Sequence, residues 1–321
     1  MKQKEKPKTY TPLTEEAYDR YMQAGSVAAQ VLEESKELVK VDASLLMVAN
    51  ALEEMIYEAG MKTAFPVNIS LNADAAHDTP SPDDIRIFAR EDVVKIDIGV
   101  HLDGYIADTA LTIDLSGEHE LLVEAAVAAR DAAIAVVKPG IQIGILGEYV
   151  AKEIMSRGFK PIHNLTGHGV DRYVLHMPPN VPNIPKKGGI ILEEGMVFAI
   201  EPFASTGAGN VTDKNRIEIF SEIASRPVRS PSARSILKEI NPRRGMPFAR
   251  RQLQNYSELG LTRLFKDGIL HGYPVLSDEP GSFVSQSEHT VIVTEDGCIV
   301  TTSPGTARTR LPVSHPPSSD D

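Results

Sequence analysis

A chain of 321 residues with 42% hydrophobic and 24% charged content has the composition of a globular protein with a substantial core, in one large domain or two ordinary ones. No apolar run reaches membrane-spanning length, and the opening MKQKEKPKTY has no apolar signal core, so secretion and membrane insertion are not expected. The net charge is −11, and the single cysteine, Cys298, has no internal disulfide partner, which agrees with a reducing cytoplasm.

Thr14 is placed to cap a helix that opens on Glu15 and Glu16 and stays periodic to about Val39. Asp42 is the expected cap of a second helix, DASLLMVANALEEMIYEAG, stopped at Gly60. Residues 92–115, DVVKIDIGVHLDGYIADTALTIDL, alternate as two strands joined at HLDG. Helical patterns resume in EHELLVEAAVAARDAAIAVV, with a stop at Pro139-Gly140, and in ILGEYVAKEIMSRG, with a stop at Gly158. Strands are expected around 196–203 (MVFAIEPF) and 216–220 (RIEIF). Helix–helix–hairpin followed by helix–helix–strands is a coarse internal duplication.

Residues 221–270 interrupt that order with short helical patterns, SARSILKEI and PFARRQLQNY. This block holds ten Lys/Arg against four acids, which reads as a solvated helical face or as an electrostatic footprint for nucleic acid. A last strand pair, HTVIVTEDGCIVTT, turns at Glu295-Asp296-Gly297, with Cys298 filling a strand as a small hydrophobe. The tail SHPPSSDD is polar and proline-rich and is expected to be disordered. An α+β sheet domain with a helical insertion is the simplest architecture.

The 92–115 hairpin carries the first sign of chemistry. A turn centred between Leu102 and Asp103 sets Asp97 directly opposite Asp108, with Cβ atoms roughly 5 Å apart. A turn centred on Asp103-Gly104 shifts the pairing by two and leaves both acids on one face. Like charges so placed are destabilising without a cation between them. The other reading is a solvent-facing hairpin whose acids never meet. A dinuclear metal site needs several carboxylates and an imidazole from different strands, and three more candidates stand out. Glu201 interrupts an apolar strand, Glu288 opens one, and His168 lies between glycines that expose its ring.

The stretches AFPVNISLNADAAHDTP, VVKIDIGVHLDGYIADTALT, NLTGHGVDRYVLH, GMVFAIEPFASTGAG and FVSQSEHTVIV together resemble the type 2 methionine aminopeptidases of the pita-bread metallopeptidase family, across roughly residues 10–310. The resemblance implies an α+β pita-bread fold with pseudo-twofold helix–helix–strand halves. It also implies a catalytic domain over 1–220 and 271–312, a helical type 2 insertion over 221–270, and a tail at 313–321 outside the pattern. The short N-terminus looks like the archaeal form. Asp97, Asp108, His168, Glu201 and Glu288 match the family's five metal ligands, with Asp108 and Glu288 bridging two divalent ions. Four carboxylates and one imidazole form a hard site suited to Co, Mn, Fe(II) or Zn.

His77 matches the family's histidine near the leaving nitrogen, His176 the one that contacts the substrate carbonyl, and Glu201 also the proton carrier. Phe65, Leu175 and Tyr273 align with the walls of the methionine pocket. The implied activity is removal of an initiator methionine from nascent polypeptide N-termini when the second residue is small. Crowding near His168 is the expected cause of that restriction. A cytoplasmic monomer is expected, with transient ribosome contact through the basic block, in particular Arg243, Arg244, Arg250 and Arg251. Two competing readings are an X-Pro aminopeptidase or prolidase-like enzyme, and a non-catalytic relative that binds RNA or protein.

Overall fold

The computed structural model describes residues 13–303. Helix α1 (Glu15–Leu38) starts where expected, with the Thr14 hydroxyl accepting from the Ala17 amide at 3.1 Å. Helix α2 (Leu45–Glu58) does not. Its cap is Ser44, whose hydroxyl accepts from the Met47 amide. Asp42 instead sits in a left-handed turn at φ 70° and gives its amide to the Phe88 carbonyl. Gly60, at φ 75°, ends this region as the sequence indicates. Helix α3 (Glu120–Ile134) stops short of Pro139-Gly140 as the chain tightens into turns, and α4 (Leu146–Ser156) is followed by Gly158 at φ 86°.

Both helix pairs lie on a nine-stranded sheet. Helices α1 and α2 bury Val31, Leu52 and Ile56 with Ile96, Ile98 and Val100 of the first hairpin. Helices α3 and α4 bury Leu122, Ala126, Val150 and Ile154 with Phe198, Ile200 and Val291. Across the sheet, strands Val93–Leu102, Tyr105–Asp114, Glu288–Val293, Val197–Ile200 and Thr166–Asp171 follow one another as neighbours. The strand from near the C-terminal end of the described chain is thus inserted between the two halves, pairing Tyr105–Asp114 on one side and Val197–Ile200 on the other. It also pairs with Cys298–Val300 across the expected turn.

The first hairpin corrects the expected register. Asp97 pairs with Ala110 and Asp108 with Gly99, because the turn is Asp103-Gly104, left-handed at φ 53° and 93°. Two left-handed residues make the turn that matches strand twist, and an Asp-Gly pair favours it. Asp97 and Asp108 are therefore diagonal neighbours on one face rather than directly opposed.

Residues 216–220 form the centre of a longer strand, Thr212–Glu222. It joins Phe248–Ala249, Leu270–Ser277 and Asp74–Ala76 in a second sheet. Helices α5 (Pro231–Ile240) and α6 (Glu258–Lys266) pack Ile236, Leu261 and Leu264 on Phe220 and Phe248. The helix expected in PFARRQLQNY is absent. Phe248–Ala249 is a short strand and Arg250–Gln252 a single 3-10 turn, since Arg250 and Arg251 are held in ion pairs with Glu218 and Glu53. The tail at 313–321 lies outside the described residues. Among the described residues no helix is long and apolar enough to cross a membrane.

Candidate active site

Five neighbouring strands each deliver one candidate ligand. Asp97 and Asp108 come from the first hairpin, Glu288 opens its strand opposite Ala110, Glu201 follows directly on Val197–Ile200, and His168 lies within Thr166–Asp171. All five side chains line one cavity of about 450 Å³, together with Phe65, His77, Leu175, His176 and Tyr273. The chain thus brings the candidate ligands, the two histidines and the proposed pocket walls to one place.

One of those placements differs from expectation. His168 is buried rather than presented by its glycines, and Glu288, which opens its strand, is 1% exposed. Gly167 serves close packing: a Cβ there would sit 2.3 Å from the Ala199 carbonyl oxygen of the neighbouring strand.

The electrostatics are those of acids forced together. Burial is the first cause raising all four carboxyl pKa values, with Asp97 moved from 3.8 to about 6 and Asp108, Glu201 and Glu288 well above their usual range. Mutual repulsion adds to it: Asp97 and Glu201 raise Asp108, while Asp108, Asp97 and Glu201 raise Glu288. Burial lowers His168 to about 4, so its ring is neutral at pH 7. Its Nδ1 donates to the Gly169 carbonyl at 3.4 Å, which leaves the Nε2 lone pair towards Asp108 Oδ2 at 3.6 Å and Glu201 Oε1 at 3.5 Å.

Two further histidines face the same space. His77 holds a left-handed backbone at φ 64° and gives its Nδ1 proton to the Pro274 carbonyl at 3.2 Å. Burial lowers its pKa, so Nε2 is a free acceptor. His176 stands at the cavity rim with its ring edge-on to His168, centroids 4.4 Å apart. The cavity's apolar side includes Phe65, Leu175 and Tyr273, and the Tyr273 ring lies 5.5 Å from His77. Gly99, opposite Asp108, is what admits Phe65, since a Cβ there would come within 2.2 Å of the ring.

Sequence reasoning missed Gln286. Its amide donates to Asp97 Oδ2 at 3.2 Å and Glu288 Oε2 at 3.4 Å, bridging two acids. Two-residue periodicity could have found it, because Gln286 precedes Glu288 by two and shares its face. Three buried threonines also went unnoticed: Thr109 and Thr290 stitch the strands of Asp108 and Glu288 together, with Thr290 Oγ1 receiving the Asp108 amide at 2.8 Å, and the Thr112 hydroxyl donates to the Gln286 carbonyl.

Comparison with known proteins agrees with this geometry. Residues 19–301 match the model of metallopeptidase family M24. The chain belongs to that family. This M24 chain is 44% identical over 291 residues to the methionine aminopeptidase of Archaeoglobus fulgidus, covering 90% of this chain and 100% of that one. Its fold is similar to the crystal structure of methionine aminopeptidase from Thermotoga maritima, with a TM-score of 0.69 at 23% identity over 91% of this chain and 98% of that one. It is also similar to a thermophilic Arx1, with a TM-score of 0.81 at 18% identity over 94% of this chain and 96% of that one. The α+β pita-bread fold expected from the sequence is the fold of this M24 chain.

A metallopeptidase centre must accept cations, and three features of this one do. Asp97 Oδ1 and Asp108 Oδ1 are buried without any hydrogen-bond partner. Asp108, His168 and Glu288 each offer a ligand atom within 4.8 Å of the others. The neutral Nε2 of His168 faces carboxylate oxygens, an acceptor against acceptors, which a divalent ion turns into coordination. Hard oxygen donors with one imidazole suit divalent metal ions.

Proposed function

We propose that the chain removes N-terminal methionine from polypeptides whose second residue is small, as a type 2 methionine aminopeptidase. The observation that carries this reading is the convergence of four carboxylates, Asp108 and Glu288 buried and Asp97 and Glu201 half-buried, and His168 in a cavity whose other wall is apolar. Identity of 44% to a methionine aminopeptidase along nearly the whole chain favours it over the X-Pro reading. The full acid set disfavours the non-catalytic one. The type 2 reading takes residues 221–270, between Glu201 and Glu288, as an insertion subdomain on a catalytic domain formed by 1–220 and 271–312.

In this reading Asp97, Asp108, His168, Glu201 and Glu288 would hold two divalent ions, Co, Mn, Fe(II) or Zn. When bound, such ions supply Lewis acidity and bring the acidity of water into the neutral range. The chain's own groups do the rest. Glu201 takes a proton from the attacking water and returns it to the leaving amine. His176 donates a hydrogen bond to the substrate carbonyl as charge develops on oxygen. His77 accepts from the scissile amide through its free Nε2. Phe65, Leu175 and Tyr273 take the unbranched thioether side chain.

The reading is tested with Met-Ala-Ser, a matched peptide with a bulky second residue, and an X-Pro peptide. The expected outcome is methionine release from the first alone. Equal cleavage of the bulky peptide would refute crowding near His168, and preference for X-Pro would refute the activity.

We further propose a cytoplasmic monomer that meets nascent chains at the ribosome through the basic block. The arginines expected to make that contact are occupied within the fold. Arg250 pairs with Glu218, Arg251 with Glu53, Arg244 stacks 4.3 Å from the Tyr173 ring, and Arg243 donates to Pro247 and Gln252. The footprint therefore moves to the exposed Arg226, Arg229, Lys238 and Lys266. Charge reversal of these four is expected to weaken ribosome co-sedimentation most at low salt and to leave tripeptide turnover unchanged. Unaltered co-sedimentation would remove the contact.

A further inference from the structure

We propose that Arg251 is a positioning residue for the methionine slot, holding the segment behind Phe65 through a buried fork on Glu53. The inference rests on reading Phe65 as a wall of that slot. Arg251 belongs to the 3-10 turn after Pro247, itself a cavity residue, and its side chain is 3% exposed against 6% for Glu53.

The fork is bidentate: Nη1 donates to Glu53 Oε2 at 2.8 Å and Nη2 to Oε1 at 2.6 Å. Nη2 also reaches Thr79 Oγ1 at 3.1 Å and the Val67 carbonyl at 3.5 Å. Glu53 Oε1 accepts the Val67 amide at 3.0 Å, and the Thr79 hydroxyl donates to the Val67 carbonyl at 2.7 Å. Both peptide groups of Val67 are thereby held by one cluster joining α2, the 221–270 block and two loops. Val67 lies two residues past Phe65, and Thr79 two past His77.

The two loops do not depend on the fork equally. His77 has its own hydrogen bond to Pro274, and the adjacent Asp78 is gripped by Arg86 at 2.6 Å and Arg216 at 3.4 Å. Phe65 is tied on its N-terminal side by the Ala64 amide on the Gly99 carbonyl, but on the other side by Val67 and hence by Arg251. Loosening the fork should relax the slot wall before it moves the group near the reacting atoms. A lysine ammonium cannot span Glu53 and Thr79 with the same planar fork.

Removing one partner alone would strand a buried charge, so the test variant is Arg251→Met with Glu53→Gln, which removes both charges and keeps an acceptor for Val67. On the metal-loaded enzyme with Met-Ala-Ser, KM is expected to rise about tenfold while kcat changes by less than about threefold. Amide hydrogen exchange should quicken across residues 64–80 and stay unchanged in strands 93–114. If the double variant does not fold, Arg251→Lys carries the same readouts, with a smaller rise in KM. An unchanged KM, a fall in kcat at constant KM, or exchange quickening equally in both regions would overturn the proposal. A wild-type enzyme inactive on Met-Ala-Ser would instead sink the slot reading, and the exchange pattern would still decide whether Arg251 clamps the loops.

Discussion

Replacing Asp97 with Asn is expected to do two opposite things: abolish methionine release and raise the stability of the metal-free protein at neutral pH. The loss follows from removing a proposed ligand from a five-ligand centre, and a fall in kcat/KM on the order of a thousandfold or more is expected. The stability gain follows from the charge balance. The folded-state pKa of Asp97 is raised to about 6 from 3.8, with burial as its first cause. A raised acid contributes stability that is full below its unfolded pKa and lost as pH rises through the folded one. At pH 7.5 without metal, the native state therefore carries an ionised, half-buried carboxylate that the unfolded chain bears at less cost. The penalty is on the order of 3 kcal/mol, at about 1.4 kcal/mol per pKa unit. Asn removes it. With a chelator present, the variant should melt above wild type at pH 7.5 and show little difference at pH 4. A variant that melts lower at both pH values would contradict the account of the acid cluster.

The second large effect is the converse. Divalent metal added to wild type should raise the unfolding midpoint by about 10 °C at a thousandfold excess over its dissociation constant, from roughly 4 kcal/mol of linkage. That gain should shrink as pH falls from 7.5 to 5. Protons compete for Asp97, Asp108, Glu201 and Glu288, all with raised pKa values, and ligands must deprotonate to bind. His168, already neutral because burial lowers it to about 4, adds little to the pH dependence in this window. Thermal scans with and without Mn across pH 5–8 give the measurement. A metal gain independent of pH would mean that the cation binds elsewhere.

Much of the site was legible because strand alternation puts chemistry on one face. Asp97 and Asp108 share a face under either turn placement, so an error of two in register left the pairing of roles intact. The Asp-Gly signal in HLDG did carry the correct turn, since both residues adopt the left-handed conformation. His168, Glu201 and Glu288 were different. Each alone looks like a loop histidine or a strand-end acid, and only the motif resemblance joined them across the chain. Sheet order, which inserts Glu288–Val293 between the halves, is a long-range pairing that local periodicity does not encode. The same limit explains the misread arginines: a Lys/Arg count cannot show that Arg250 and Arg251 meet Glu218 and Glu53, which lie far from them in sequence. The cap of α2 failed for a local reason, because Asp42 and Ser44 are both good caps and the left-handed turn at Asp42 decided for Ser44.

The central claim is that the carboxylate cluster, loaded with divalent metal, releases N-terminal methionine. The most direct test is turnover of Met-Ala-Ser by the purified chain before chelation, after it, and with Mn, Fe(II), Co or Zn added back. The account predicts that chelation abolishes methionine release and that at least one of these ions restores it. Release that persists after metal is verifiably removed, or that no ion restores in a still-folded protein, would contradict it.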